Sequence, residues 1–463
     1  MRFRPSPALP LLLFLFIPAC DKKPSDPDSY LDESERLLSD EELLTAEDPN
    51  APYVKQIYID WITHNHDPIR SLTSHNFEDL KFLKPLMNGK RIVQLGESGH
   101  GVRQFNMAKV RLIKFFHEEL DFDVIAFESS LFECFISNEH VPEFNATELV
   151  RHSIFGVWHT YEVLELFDYI KESRSSGDPL LLAGFDIQIS SWMGKQYRPG
   201  FLRTVLEQVD PQYAAEVYDF DSAFLEASDS GYDKFLEYAD TYRDSLAAGY
   251  GDIIEFIDSH SPALNVAFSD RPLYPLMARQ TAWSMTQFIE QLVASYNDNS
   301  RDVTLTRDRG MAYNIDFLLQ EAYPGEKILV WAHNFHIRNH NERTSYNIPT
   351  MGTWVHQGHS HQLYTVGLYM YRGTAALNNR DTYNIRECES GSLESIFYRI
   401  RKKFSFVDLS MNFKRPGTMW MFEELTAKTW GTGDIRMVLK DQYDGILFID
   451  TVEPPEYIYG TVQ

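Results

Sequence analysis

Cysteine is scarce, with three residues in a chain of 463. That count, and a length ample for a large hydrophobic core, exclude a small fold stapled by disulfides. Beyond Cys20, only Cys134 and Cys388 are present, and neither sits in the Cys-His context that would mark a nucleophile. Positive charge is also short: 43 Lys and Arg stand against 67 Asp and Glu, a formal net charge of −24. So acidic a chain argues against nucleic acid or anionic lipid headgroups as partners, and is compatible with a neutral or cationic substrate. Walker-type phosphate loops, His-Glu-x-x-His and the dinucleotide glycine fingerprint are all missing. There are no internal repeats. After Ile17 no apolar run is long enough to cross a bilayer.

The chain opens with a basic start, Arg2 and Arg4, followed by the apolar run Leu9 to Ile17, the pattern of an export signal. The run ends at Ile17-Pro18-Ala19-Cys20, which resembles a bacterial lipobox. Residues 1–20 then read as a lipoprotein signal with Cys20 as the lipidated residue. The alternative is an ordinary secretory signal with an incidental Cys. Residues 21–50 are acidic and polar, with Pro24 and Pro27, and suit a solvated tether. The expected location is the bacterial cell envelope, outside the cytoplasm and held to the membrane by lipid.

The body alternates strand and helix signals. Four buried-strand patterns end in acid or imidazole: Arg91–Leu95 before Glu97 and His100, Val124–Phe127 before Glu128, Leu180–Phe185 before Asp186, and Ile328–Trp331 before His333 and His336. Between the first two lies an amphipathic run, Val102 to Leu120, with Phe105, Ala108, Leu112, Phe115, Phe116 and Leu120 at helical spacing. Strand, helix and strand with short joins imply a right-handed parallel βαβ unit. Tyr53 to Leu86 and Thr147 to Ser173 read as further helices. Additional strand signals fall at Gln362–Tyr371, Phe404–Leu409 and Tyr443–Asp450. From about Gln196 to Asn299 the pattern is helical, rich in Tyr, Phe and Leu, without a convincing strand. The expected fold is α/β, a three-layer α/β/α body with a mostly parallel sheet. Residues 51–195 and 301–463 form its two halves, and 196–300 a helical insertion packed over the sheet as a cap.

In an open parallel sheet, chemistry gathers beyond the carboxyl ends of the strands. Ser98 lies between glycines, but His100 stands where a nucleophile elbow needs its second Gly, which disfavours a serine hydrolase of that type. What is left is an imidazole suited to accept a proton from water, with Glu97 or Glu128 to orient it. His333 is placed to stabilise an oxyanion or protonate a leaving alkoxide.

These residues resemble the erythromycin esterase family. The resemblance rests on Gly96-Glu97-x-x-His100-Gly101 with Phe105 and Lys109, Phe127-Glu128, and Gly184-Phe185-Asp186. It continues through Arg307-Asp308-x-x-Met311-Ala312-x-Asn314, Trp331-Ala332-His333-Asn334-x-His336 and Met351-Gly352, and spans roughly residues 88 to 375. It implies ester or lactone hydrolysis with His100 as general base and Glu97, Glu128 and His333 essential around it. It also implies Lys109, Asp186, Arg307, Asn334 and His336 at or near a small-molecule cleft, and macrolides as a candidate substrate. Gly99 stands where the family often has Thr, and Gln104 where Glu is common.

No cofactor is expected. Two alternatives stay open: a divalent-metal hydrolase in which Glu97, His100, Glu128 and His333 ligate Zn²⁺ or Mn²⁺, and a non-catalytic binding lipoprotein. Glu128 could instead be a structural partner of Lys109 or Arg103, Asp186 a support rather than a ligand, and His336 a helix cap. His356, His359 and His361 read as a solvated loop, with no carboxylate beside them.

Overall fold

The computed structural model describes residues 55–410 and 413–458, so Cys20, the signal and the tether lie outside the described residues. Its strands are β1 (Asp67–Pro68), β2 (Ile92–Leu95), β3 (Val124–Ser130), β4 (Leu181–Asp186), β5 (Ile328–Trp331), β6 (Leu363–Ala376), β7 (Thr382–Asn384), β8 (Phe404–Asp408), β9 (Glu424–Thr429), β10 (Gly433–Val438) and β11 (Gly445–Val452). The main sheet runs β1-β8-β11-β6-β2-β5-β3-β4, with β7 on the end of β6 and β9–β10 a separate hairpin. From β11 to β4 every neighbouring pair is parallel. The strands β8 and β1 run antiparallel at one edge.

Both faces of the sheet are covered. Every residue of β2, β3 and β5 is buried, as their unbroken apolar runs require of strands sandwiched between helices. Alternate side chains feed two cores: Ile92, Val124, Ala126, Ile328 and Val330 face one, and Val93, Leu95, Ile125, Phe127, Leu329 and Trp331 the other. The second core is closed by the helices Arg103–Leu120, Ala146–Ser153 and Tyr161–Ser176 through Phe105, Leu112, Phe115, Leu149, Val163 and Leu166. The first is closed by Leu131–Glu139, Ser300–Phe317, Met351–His359 and the helices of the insertion. The body is therefore α/β/α with a mostly parallel sheet. Between Arg198 and Tyr296 the described structure is helical throughout its regular elements. The long helix Leu273–Tyr296 packs against Ser300–Phe317 and Leu131–Glu139. Among the described residues no helix is long and apolar enough to cross a membrane.

Register is what brings the strand ends together. Leu95 pairs with Trp331, and Trp331 with Phe127, so β2 and β5 finish level with Phe127 of β3, which runs on to Ser130. Whatever follows each strand must emerge side by side.

Three sequence expectations are corrected. Tyr53–Leu86 is not one helix: the described part holds Gln56–Asn65 and a four-residue helix, Leu83–Leu86. Between them Asp67–Pro68 pairs with β8, because Pro68 lacks a donor and biases the residue before it towards extended backbone. Thr147–Ser173 is two helices, each with its own cap: an Asn145/Glu148 capping box starts Ala146–Ser153, and Thr160 Oγ1 accepts the Val163 N–H to start Tyr161–Ser176. The histidine run is not a solvated loop. His356 and His359 lie on the helix Met351–His359, and the His359 Nε2 meets Asp316 at 2.5 Å.

Candidate active site

The turn after β2 is clamped before it reaches His100. A Cβ on Gly96 would fall 2.0 Å from Asn334 Oδ1, and one on Gly101 2.0 Å from the Ala376 carbonyl. Asn334 is fixed there by bonds to the Leu368 amide and carbonyl, and its own amide donates to the Glu97 carbonyl. Gly96→Ala is therefore expected to destabilise the fold by about 1–3 kcal/mol, read by thermal unfolding; an unchanged midpoint would contradict this packing.

Glu97 is fully buried. Its Oε1 accepts from Trp158 Nε1 at 3.0 Å and meets His100 Nδ1 at 2.6 Å, while Oε2 accepts from Lys109 Nζ at 2.7 Å. An acceptor already holding an indole and an ammonium donor fixes the tautomer: His100 carries its proton on Nδ1 and turns the Nε2 lone pair outward. Lys109 is buried, donates to the Ala332 carbonyl and lies over the Trp331 ring at 4.5 Å. Burial lowers its pKa to about 8, against the pull of Glu97.

His333 follows β5 and faces His100 with ring centroids 5.1 Å apart. Its backbone N–H donates to Glu128 Oε2 at 2.9 Å, and its Nδ1 caps the next turn by accepting the Phe335 N–H at 3.1 Å. The neutral ring must then carry its proton on Nε2, which is buried without a hydrogen-bond partner. Burial foremost, then His100, pushes the His333 pKa well below 6.5. The sign follows: the unfolded state takes a proton that the folded state refuses, so stability from this site is present above pH 6.5 and declines as pH falls below it. Denaturant unfolding at pH 7 and pH 5 is expected to show a larger acid loss for wild type than for His333→Gln; equal losses would contradict a neutral His333.

Behind these two rings stands a buried charge network. Burial alone would raise the Glu128 pKa, but His336, Arg307 and His100, with the His333 amide, hold it well below the usual carboxylate range. Arg307 Nη2 donates to Glu128 at 2.9 Å and to Asp186 at 2.6 Å, and its Nε closes the second bond to Asp186. His336 lies 2.7 Å from Asp308 through Nδ1 and 3.3 Å from Glu128 through Nε2. Burial opposes its charged form, yet Asp308 and Glu128 raise its pKa. Glu128 thus pairs with neither Lys109, which takes Glu97, nor Arg103, which pairs with Glu162. His336 is not the helix cap; His333 is.

A cavity of about 560 Å³ opens over this floor, reached by His100, Glu128, Arg307, His333 and His336. Lys109, Asp186 and Asn334 do not line it and stand one layer behind its floor. Lys109 stands behind Glu97, Asp186 behind Arg307, and Asn334 under the turn. The walls hold residues that sequence reasoning missed. Trp158 meets the His100 ring edge-on at 5.2 Å, from the break between two helices. Trp430, in the turn of the β9–β10 hairpin, stacks on His333 at 5.5 Å and meets His100 at 5.2 Å. Its φ is +55°, costly for a bulky residue and typical of constrained functional positions. Its amide donates to the Ser98 carbonyl. The signal available in sequence was a Trp inside the glycine turn Trp430-Gly431-Thr432-Gly433.

The model of a known family, Erythromycin esterase, matches residues 117–452. The chain belongs to the erythromycin esterase family. The matched span begins after the Glu97–His100 turn, whose place in the site rests on the contacts above. The chain is 33% identical over 420 residues to YbfO of Bacillus subtilis (strain 168), described as a candidate hydrolase, covering 85% of this chain and 91% of that protein. It is 21% identical to erythromycin esterase type II of Escherichia coli, over 86% of this chain and 99% of the relative. In fold it is similar to a mutant of the erythromycin esterase EreC in its open conformation, with a TM-score of 0.66 at 18% identity, covering 85% of this chain and all of that one. Family membership points to a hydrolase.

Proposed function

We propose that this hydrolase cleaves carboxylic-ester or lactone bonds by direct attack of water. The observation that carries the reading is His100, oriented by Glu97, facing a neutral His333 at 5.1 Å across the cavity floor. His100 Nε2 takes a proton from water as the oxygen attacks the substrate carbonyl carbon. The tetrahedral oxyanion accepts from the otherwise unpartnered His333 Nε2–H. As the C–O bond breaks, the imidazolium of His100 returns its proton to the leaving alkoxide. Arg307 and His336, ion-paired to Glu128 on the same floor, add positive potential for the developing charge. The volume suits a small-molecule ester walled by Phe155, Val157, Trp158, Phe335 and Trp430.

The mechanism is metal-independent in this reading. Glu97 already receives Lys109 and Trp158, and Glu128 receives Arg307 and the His333 amide, so protein donors hold the places a divalent ion would take. The Cys20 motif supports an exported, lipid-anchored enzyme. Such an enzyme could meet a macrolide before the antibiotic enters the cell, which makes resistance the proposed role. A panel of lactones and simple esters, assayed with wild type and His100→Ala with and without exhaustive EDTA, tests this. Turnover that EDTA abolishes while the unfolding temperature stays unchanged would favour the metal hydrolase. A panel with no turnover at all would favour a binding lipoprotein, and intact erythromycin after prolonged incubation would remove the macrolide.

A further inference from the structure

The catalytic groups occupy the carboxyl ends of the strands; a second cluster sits at their opposite ends. Asp123 immediately precedes β3, Asp178 precedes β4, and His117 lies in the last turn of the helix Arg103–Leu120. One ligand atom from each lies within 4.8 Å of the others. The His117 Nε2 is 3.6 Å from Asp123 Oδ1, which is too long for a hydrogen bond. It has no hydrogen-bond partner, although the His117 side chain is only 2% exposed.

The tautomer shows why this matters. His117 Nδ1 lies 2.7 Å from the Tyr169 hydroxyl, whose pKa is raised by burial first and then by the negative charge of Glu118. The Tyr169 oxygen can accept from His117 Nδ1–H, and that tautomer is the one that frees Nε2 as a ligand. The neutral ring then presents a bare Nε2 lone pair to two carboxylates. Three electron donors pointed at one another repel unless a cation lies between them. Asp121 and Glu326 add negative charge around Asp123, part of it offset by Lys327, which pairs with Asp121 at 3.7 Å and donates to the helix-end carbonyl of Leu120. A tetrahedral ion with bonds of ~2.1 Å sets its ligand atoms ~3.4 Å apart, close to the His117–Asp123 separation.

We propose that His117, Asp123 and Asp178 form a structural divalent-cation site for Zn²⁺ or Mn²⁺, with solvent completing the shell. One imidazole and two carboxylates are the donor set those ions accept. Tyr169 is the outer partner that holds the imidazole tautomer. The ion staples the end of the helix Arg103–Leu120 to the starts of β3 and β4. The same helix carries Lys109, and the two strands carry Glu128 and Asp186 towards their far ends, so the staple braces the elements of the reaction centre from behind.

The test titrates Zn²⁺, and separately Mn²⁺, into the chelator-stripped full-length protein by calorimetry, with thermal unfolding in parallel. One equivalent should bind to wild type and to His100→Ala and raise the unfolding temperature of both. Asp178→Asn, at an exposed position, should weaken binding at least about ten-fold and remove the thermal shift. Tyr169→Phe should weaken it about 10–100-fold. No saturable binding of either ion to wild type would overturn the proposal. So would binding that Asp178→Asn retains at full affinity, or that His100→Ala abolishes, which would place the ion at the catalytic centre.

Discussion

Replacing His100 by alanine is expected to lower kcat for ester or lactone hydrolysis by about 10²–10⁴-fold, the usual worth of a positioned general base. The expectation rests on the division of labour at Glu97. That carboxylate keeps Lys109 and Trp158 when the imidazole is removed, so no buried charge is orphaned and thermal stability should hold. Activity should fall while KM changes little, because His100 acts on water rather than on the body of the substrate. Added imidazole should restore part of the rate through the space vacated beside Trp158 and Trp430. A variant with full activity would remove His100 from the chemistry, and one that unfolds would make its role structural.

Arg307→Met should instead be costly to the fold. Arg307 bridges Asp186 and Glu128, which are 1% and 3% exposed, and removing the shared cation leaves both carboxylates buried beside each other. Breaking a buried pair in this way costs about 3–5 kcal/mol. The pH dependence separates this cause from simple loss of packing. Glu128 is held below its ordinary 4.5 partly by Arg307, so the stabilisation is present above that pH and is lost as pH falls. The gap between wild type and variant should be widest near neutrality and narrow in acid, as protonation neutralises the carboxyls. A gap that is constant with pH in chemical denaturation would contradict the electrostatic account. Hydrolysis should fall as well, because Glu128 positions the His333 amide.

The parts of this site that could be read from sequence are those fixed by local rules. Unbroken apolar runs ending in Glu97, Glu128, Asp186 and His333 announce strands buried on both faces, and the register of β2, β5 and β3 turns that linear pattern into a cluster. The network behind it was less legible. That Glu128 takes Arg307 and His336 rather than Lys109 depends on which layer each helix joins, and no spacing rule specifies that. Asn334 carries a motif position yet serves the turn at Gly96, since a polar residue after a strand can bond sideways to the next strand as well as outward. Trp158 was hidden because a helical period read across Ile154–Thr160 masks the break that delivers it. Trp430 was hidden because its hairpin reaches the site only through the long-range bond to the Ser98 carbonyl.

The most direct test is a crystal structure of the protein with a phosphonate mimic of the tetrahedral intermediate. The His100–His333 arrangement predicts a phosphonyl oxygen within hydrogen-bonding distance of His333 Nε2, with His100 Nε2 turned to the oxygen that stands for attacking water. A phosphonate held outside this cavity, or a phosphorus bonded covalently to Ser98 Oγ, would contradict water activation by His100.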